Sequence, residues 1–274
     1  MERPSVILMG SKPGAVVALS VMLQRGWDVK YVVISRKHTY PWIGGQTLEQ
    51  FALKKGLNVL TQPELPNISV DFVISYMFRY RVKSHALKMA RRGALNFHAG
   101  PLPEYGGWAF YNLAILEQAK EYGCTCHYMD EGFDTGPLLR VRRFPINAVM
   151  ETAYSLERKA QQEMICLFID FCRLAESGQT LPSEPQDKSK MRYLAQEEFE
   201  RLKLIPPDAD AETIDRYARA FWYPPYECAY TMLGNEKVEV IPAITKQQIA
   251  TLLHADDLAV LEQTAGAYIA ETGA

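Results

Sequence analysis

Two short stretches carry the side chains best suited to chemistry: Asn96-Phe97-His98 at the end of an apolar run, and Phe133-Asp134-Thr135 one strand further on. A carboxamide can donate to a developing oxyanion, an imidazole titrates near neutrality, and a carboxylate can orient that imidazole and favour its charged form. These three types together suit transfer of a carbonyl-level group to an amine. Residues two apart in a strand share a face, so Asn96 and His98 point one way and Leu95 and Phe97 the other. Gly100, Pro101 and Pro103 end the strand just past His98, which puts the imidazole at a carboxyl edge, where open α/β sheets bind ligands. An isolated N-x-H also fits a histidine that caps a strand end beside a backbone-bonded asparagine. The second stretch, Asp130 to Pro137, reads as a turn between two strands. Asp130 and Glu131 suit solvated turn carboxylates, whereas Asp134 is pinned between Phe133 and the Gly136-Pro137 turn.

The elements that hold these residues follow from the apolar pattern. Val6–Met9, Asp28–Ile34, Leu57–Leu60, Val70–Tyr76 and Ala94–Phe97 read as buried strands, with helices expected over the run through Leu19 and Leu23, over Gln46–Gly56 and over Val82–Arg92. This alternation predicts a doubly wound, Rossmann-like α/β fold: a mostly parallel sheet with helices on both faces. A helix over 109–120 leads to paired strands at Cys124–Met129 and Leu138–Phe144, then to the longest helix, Glu151–Glu176. Residues 177–193, rich in Pro, Ser, Lys and Gln, read as a crossing loop or linker. A helix near 211–221, strands at 227–233 and 237–241 and a last helix near 246–253 make a small C-terminal α+β subdomain. The boundary falls near 185, giving a catalytic domain at 1–185 and a subdomain at 186–274.

A chain of 274 residues with 48% hydrophobic content can bury a full core. Its net charge of -2 creates no field that favours nucleic acid or an anionic membrane, so neither is expected as a partner. Five cysteines with no CxxC pair point away from disulfides and zinc knuckles. No signal peptide or membrane-spanning run is visible, so a cytoplasmic protein is expected.

Leu95-Asn96-Phe97-His98-Ala99-Gly100-Pro101-Leu102-Pro103, followed by Phe133-Asp134-Thr135-Gly136, resembles the formyltransferase family that uses 10-formyltetrahydrofolate. The likeness spans roughly residues 5–145, and within the family the chain looks most like the sugar N-formyltransferases. The resemblance implies that Asn96 holds the formyl oxygen, His98 manages protons at the tetrahedral intermediate, and Asp134 sets the state of His98. It also implies that the pterin lies against the segment holding Phe78, Tyr80, Arg81 and Val82, with Asp130, Glu131, Gly132 and Phe133 closing the other side. Ordinary core packing is the alternative for Phe78 and Tyr80.

The chain departs from many relatives after the leucine-proline turn. Glu104-Tyr105-Gly106-Gly107-Trp108 stands where they carry an arginine-glycine pair, so Trp108 is expected to supply a stacking face for the acceptor. Trp222 and Tyr223, in an aromatic-proline cluster that resembles a family segment, are weighed between interdomain packing and acceptor stacking. Gly10-Ser11-Lys12-Pro13-Gly14 lacks the phosphate-binding patterns and reads as a plain strand-to-helix turn. His98, His127 and Asp134 have metal-ligand types, but no spacing supports a site and the family uses none, so no metal is expected.

The resulting expectation is an enzyme moving a formyl group from 10-formyltetrahydrofolate to the amine of a nucleotide-linked amino sugar. Its rivals are a methionyl-tRNA formyltransferase and a non-catalytic ligand-binding module. The oligomeric state is left open, with the 151–176 helix and the C-terminal strands as the two candidate faces for a homodimer.

Overall fold

A computed structural model describes residues 3–36, 44–108, 110–243 and 257–273. Seven strands form the central sheet: β1 (Ser5–Gly10), β2 (Asp28–Ile34), β3 (Val59–Thr61), β4 (Val70–Tyr76), β5 (Ala90–His98), β7 (Glu121–Tyr128) and β8 (Leu138–Pro145). They lie in the order β3-β2-β1-β4-β5-β7-β8. The first five run parallel, and β7 and β8 are antiparallel additions at one edge. Continuous apolar runs such as Ile7-Leu8-Met9 and Phe72-Val73-Ile74 are wholly buried, because both sheet faces are covered. On one face α1 (Pro13–Gln24), α2 (Leu48–Lys54) and α5 (Ala153–Glu176) pack over Leu8, Phe72 and Phe97. On the other, α3 (Ser84–Leu87) lies over Met9, Val73 and Ala94. Local signals set the helix starts. Pro13 opens α1, and Thr152 caps α5 reciprocally with Ser155.

The helix expected over 82–92 shrinks to α3, and β5 begins already at Ala90. Tertiary partners hold residues 90–92 extended and override their helix propensity. The Val70 N–H bonds the Met89 carbonyl, and Arg91 pairs with Asp71 at 3.0 Å. Arg92 lies over the Phe72 ring at 4.8 Å and donates to the Ala175 carbonyl. The helix expected at 109–120 is shorter too: α4 spans Phe110–Leu116, and Gln118 takes a left-handed φ of 52°.

Beyond α5 the chain forms two short parallel strands, β6 (Gly106–Gly107) pairing with β9 (Tyr193–Leu194). It continues with α6 (Gln196–Leu202), α7 (Ala211–Ala220), a hairpin of β10 (Ala229–Leu233) and β11 (Glu236–Val240), and α8 (Asp257–Thr272). Neither α6 nor α8 is announced by the apolar pattern, and the helix expected at 246–253 lies outside the described residues. Ile205, Phe221, Ala229, Leu261 and Ala265 join the same core as the main sheet, so a line at residue 185 divides the chain but not its interior. The apolar face of α5, including Met164, Phe168 and Phe171, is buried inside that core. That candidate dimer face is thus covered, while the hairpin, the other candidate, exposes Met232 and Leu233.

Candidate active site

The carboxyl end of β5 and the amino-to-carboxyl run of β7 form a grid of four polar side chains. Antiparallel register sets Asn96 opposite His127 and His98 opposite Thr125. Directly opposed residues share a sheet face, so all four point away from the Phe97 core. Thr125 holds the chain that leaves β5: its hydroxyl donates to the Gly100 carbonyl at 2.8 Å and accepts from the Leu102 N–H at 2.9 Å. That loop carries the Tyr105 carbonyl, which accepts from His98 Nε2 at 2.7 Å. Glycine is required at position 100, since a Cβ there would meet both His98 Nε2 and the Tyr105 carbonyl at 2.8 Å. With Nε2 donating to a carbonyl, Nδ1 is the His98 nitrogen whose proton can change. Phe110 stands edge-on to the imidazole at 4.7 Å between centroids.

Asp134 enters from the β7–β8 loop in a left-handed conformation, φ 57°. Its Oδ2 lies 3.6 Å from His98 Nδ1 and accepts from the Gly107 N–H at 3.0 Å. Its Oδ1 lies 3.6 Å from His127 Nε2 and 3.5 Å from Asn96 Nδ2. The carboxamide, the imidazole and the carboxylate thus meet in one place, although 38 residues separate Asn96 from Asp134. Burial pushes the Asp134 carboxyl up, but His98 above all, with the Gly107 N–H, outweighs it and holds the group well below the usual carboxylate range. Asp134 is therefore a fixed anion beside two imidazoles.

A strap formed by residues 184–194 covers this group. The Gln186 amide donates to the Asp134 and Gly136 carbonyls, both at 2.7 Å. Further along, the Gly106 N–H donates to the Arg192 carbonyl and the Trp108 N–H to the Leu194 carbonyl. Gly107 is left-handed (φ 77°), and a Cβ there would strike the Tyr193 ring at 2.7 Å. Between strap and loop lies a cavity of about 260 Å³, walled by Leu102, Phe133 and Asp134 on one side and Met191, Arg192 and Tyr193 on the other.

The two segments expected to flank a pterin are brought together, because Ser84 Oγ donates to Glu131 Oε1 at 3.2 Å. Phe78 and Tyr80 meet edge-on at 5.9 Å, and Val82 is buried in the core beneath α3. Gln62 fixes the backbone here, donating to the Arg81 carbonyl and accepting from the Lys83 N–H. Asp130 turns inward instead, accepting from the Gly132 N–H and the Thr135 hydroxyl to shape its own loop. Phe133 is exposed at the cavity wall. Trp108, beside Gly107, is exposed with the Arg79 guanidinium 5.7 Å above its ring.

Trp222 and Tyr223 sit elsewhere, at the junction of α1, α5 and the tail. The Trp222 carbonyl accepts from the Tyr154 N–H, while Tyr223 packs edge-on to Tyr154 and its hydroxyl accepts from Lys12. Among the described residues, no three His, Cys, Asp or Glu are grouped to hold a metal ion. Pattern reading gave His127 no part beside Asn96, and it gave Gln186 none either. The shared strand face of Thr125 and His127 was the available signal for the first; a polar loop offered none for the second.

Residues 43–170, which carry Asn96, His98, His127 and Asp134, match the formyl transferase family. A methionyl-tRNA formyltransferase of Nitrosospira multiformis is 28% identical over 229 residues, 79% of this chain and 72% of that one. A GDP-perosamine N-formyltransferase of Brucella melitensis biotype 1 is 30% identical over 179 residues, 65% of this chain and 66% of that one. The N-formyltransferase from Helicobacter canadensis, solved with folinic acid and dTDP-3-aminofucose, superposes with a TM-score of 0.70. That superposition covers 85% of both chains at 23% identity, so it speaks to the fold alone. Sequence match and the assembled constellation agree: residues 43–170 are a formyl transferase domain, set in a fold that the solved structure shares.

Proposed function

We propose that this formyltransferase moves the formyl group of 10-formyltetrahydrofolate to the amine of a nucleotide-linked amino sugar. The observation that carries the reaction is the convergence of Asn96, His98 and Asp134 at the carboxyl edge of the sheet. Attack by the amine nitrogen on the formyl carbon forms a new C–N bond and places negative charge on the formyl oxygen. Asn96 Nδ2 donates to that oxygen. Its hydrogen nearest Asp134, held only at 3.5 Å, is the one free to turn to a stronger acceptor. The C–N10 bond then breaks, and the proton lost by the amine goes to N10 of the departing tetrahydrofolate. His98 Nδ1 carries that proton between them, with Asp134 stabilising the charged imidazole at 3.6 Å. In this reading Phe78, Tyr80, Arg81 and Val82 receive the pterin together with Glu131, Gly132 and Phe133, and Trp108 receives the acceptor.

Two observations favour a sugar acceptor. A relative that is 30% identical over 179 residues is a GDP-perosamine N-formyltransferase. Residues 186–274 carry fifteen acidic against nine basic residues, a poor surface for neutralising RNA phosphates. The methionyl-tRNA reading stays as the second, because the relatives include that enzyme at 28% identity. Incubation with 10-formyltetrahydrofolate and a panel of nucleotide-linked amino sugars tests the proposal, read as a mass gain of one formyl group with His98→Ala as control. Inert sugars together with formylated methionyl-tRNA reverse the acceptor assignment. A His98→Ala protein as active as the parent removes the catalytic one.

A further inference from the structure

His127 has no step in the reaction above, yet at 2% exposure it is more deeply buried than His98 or Asp134. Its ring is engaged at both nitrogens. Nδ1 lies 2.8 Å from the Tyr128 carbonyl oxygen, and Nε2 lies 3.0 Å from Asn96 Nδ2. A carbonyl oxygen only accepts, so Nδ1 carries a proton. An amide nitrogen only donates, so Nε2 presents its lone pair. Both contacts hold together only for a neutral ring protonated at Nδ1.

The geometry points to His127 as the positioning residue that aims Asn96: its Nε2 lone pair holds one hydrogen of the carboxamide and so turns the other towards the reacting carbon. A carboxamide is planar, and fixing one N–H fixes the direction of the second. That second hydrogen has only a 3.5 Å contact with Asp134 Oδ1, which an oxyanion displaces. With no acceptor at position 127, the anionic Asp134 is the strongest acceptor left within reach, and the carboxamide turns its nitrogen onto that side chain and away from the formyl oxygen. A charged His127 fails for the same reason, because its Nε2–H would face the Asn96 N–H. It would also set a second cation beside the one carboxylate that His98 needs. Two imidazoles share Asp134, and the hydrogen bonds divide their roles: His127 stays neutral and aims, while His98 exchanges the proton.

This inference rests on the formyl-transfer reading, and two measurements separate them. Nitrogen-15 spectra of the wild-type imidazoles near neutral pH report the tautomer with no turnover needed. The expected result is a His127 ring protonated on Nδ1 and bare on Nε2. Protonation of both nitrogens, or of Nε2 alone, overturns the inference. The second measurement compares His127→Leu with His127→Gln, whose amide oxygen restores an acceptor facing Asn96. His127→Leu should lose roughly 10- to 100-fold in kcat with the KM for 10-formyltetrahydrofolate within about twofold, and His127→Gln should recover most of the loss. A Leu variant as fast as wild type, or a folded Gln variant as slow as Leu, overturns it. A wild-type protein that formylates no acceptor counts against the reaction, and the spectrum alone then rules on His127.

Discussion

Asp134 shows how much one carboxylate is asked to do: it accepts from the Gly107 N–H, faces two imidazoles and sits in a left-handed turn. Its folded-state acidity is stronger than that of an unfolded aspartate, so it adds stability that is fully present above the unfolded value of about 3.9. That stability drains away as pH falls below this value towards the folded one. The gap in unfolding free energy between wild type and Asp134→Asn should therefore narrow as pH falls below about 4. Denaturant titrations at several pH values check this, and a gap that widens on acidification refutes it. Asn96→Ala should cost about 10²- to 10³-fold in kcat, the scale of losing one oxyanion donor, at nearly unchanged KM for the formyl donor. Steady-state kinetics on an accepted amine settle that point. Asn96, His98 and Asp134 were legible from residue type and turn chemistry. The partnership of His127 with Asn96 was not, because it depends on β7 running antiparallel beside β5, a pairing between residues 31 apart that no local pattern states.

At the scale of elements, the strap over 184–194 is where composition misleads. Its Pro, Ser, Lys and Gln describe a solvated linker, and much of its surface is solvated. Its backbone nevertheless pairs with Gly106 and Gly107, and Gln186 reaches the Asp134 and Gly136 carbonyls of the loop between β7 and β8. Gln186→Leu removes both donors and leaves two carbonyls short of a partner, a loss of about 1–3 kcal/mol. Amide hydrogen exchange across residues 130–136 should accelerate in this variant, and kcat should fall as Asp134 loses its fixed direction. Unchanged exchange in that loop would show that the strap merely lies over it. The overlong helix expected at 82–92 has the opposite cause. Residues 90–92 carry helix-compatible side chains, yet Asp71, Phe72 and Ala175 claim them for β5.

For the molecule as a whole, the doubly wound sheet was legible because strands covered on both faces must be continuously apolar, and Val70–Tyr76 announces that without help. The tail was harder to read. Helix α8 lays only a narrow apolar stripe on the body, with Leu261 and Ala265 buried, and its identity as part of the core depends on the surface that α1 and α5 offer it. Tyr268 fastens it there, donating to Asp170 at 2.6 Å with the Arg142 and Arg173 guanidinium groups over its ring. A chain ended at residue 185 would lose this helix, the Gln186 clamp and the β9 partner of Gly106-Gly107 at once. Such a fragment should lack a cooperative thermal transition and a native near-ultraviolet circular dichroism signal. Leu261→Ala in the full chain should cost about 2–3 kcal/mol while leaving kcat in place, since the stripe lies on the face of the sheet opposite Asn96 and His98. A 1–185 fragment that melts cooperatively and still binds a folate would mean that the residues after 185 are an attachment rather than part of the core.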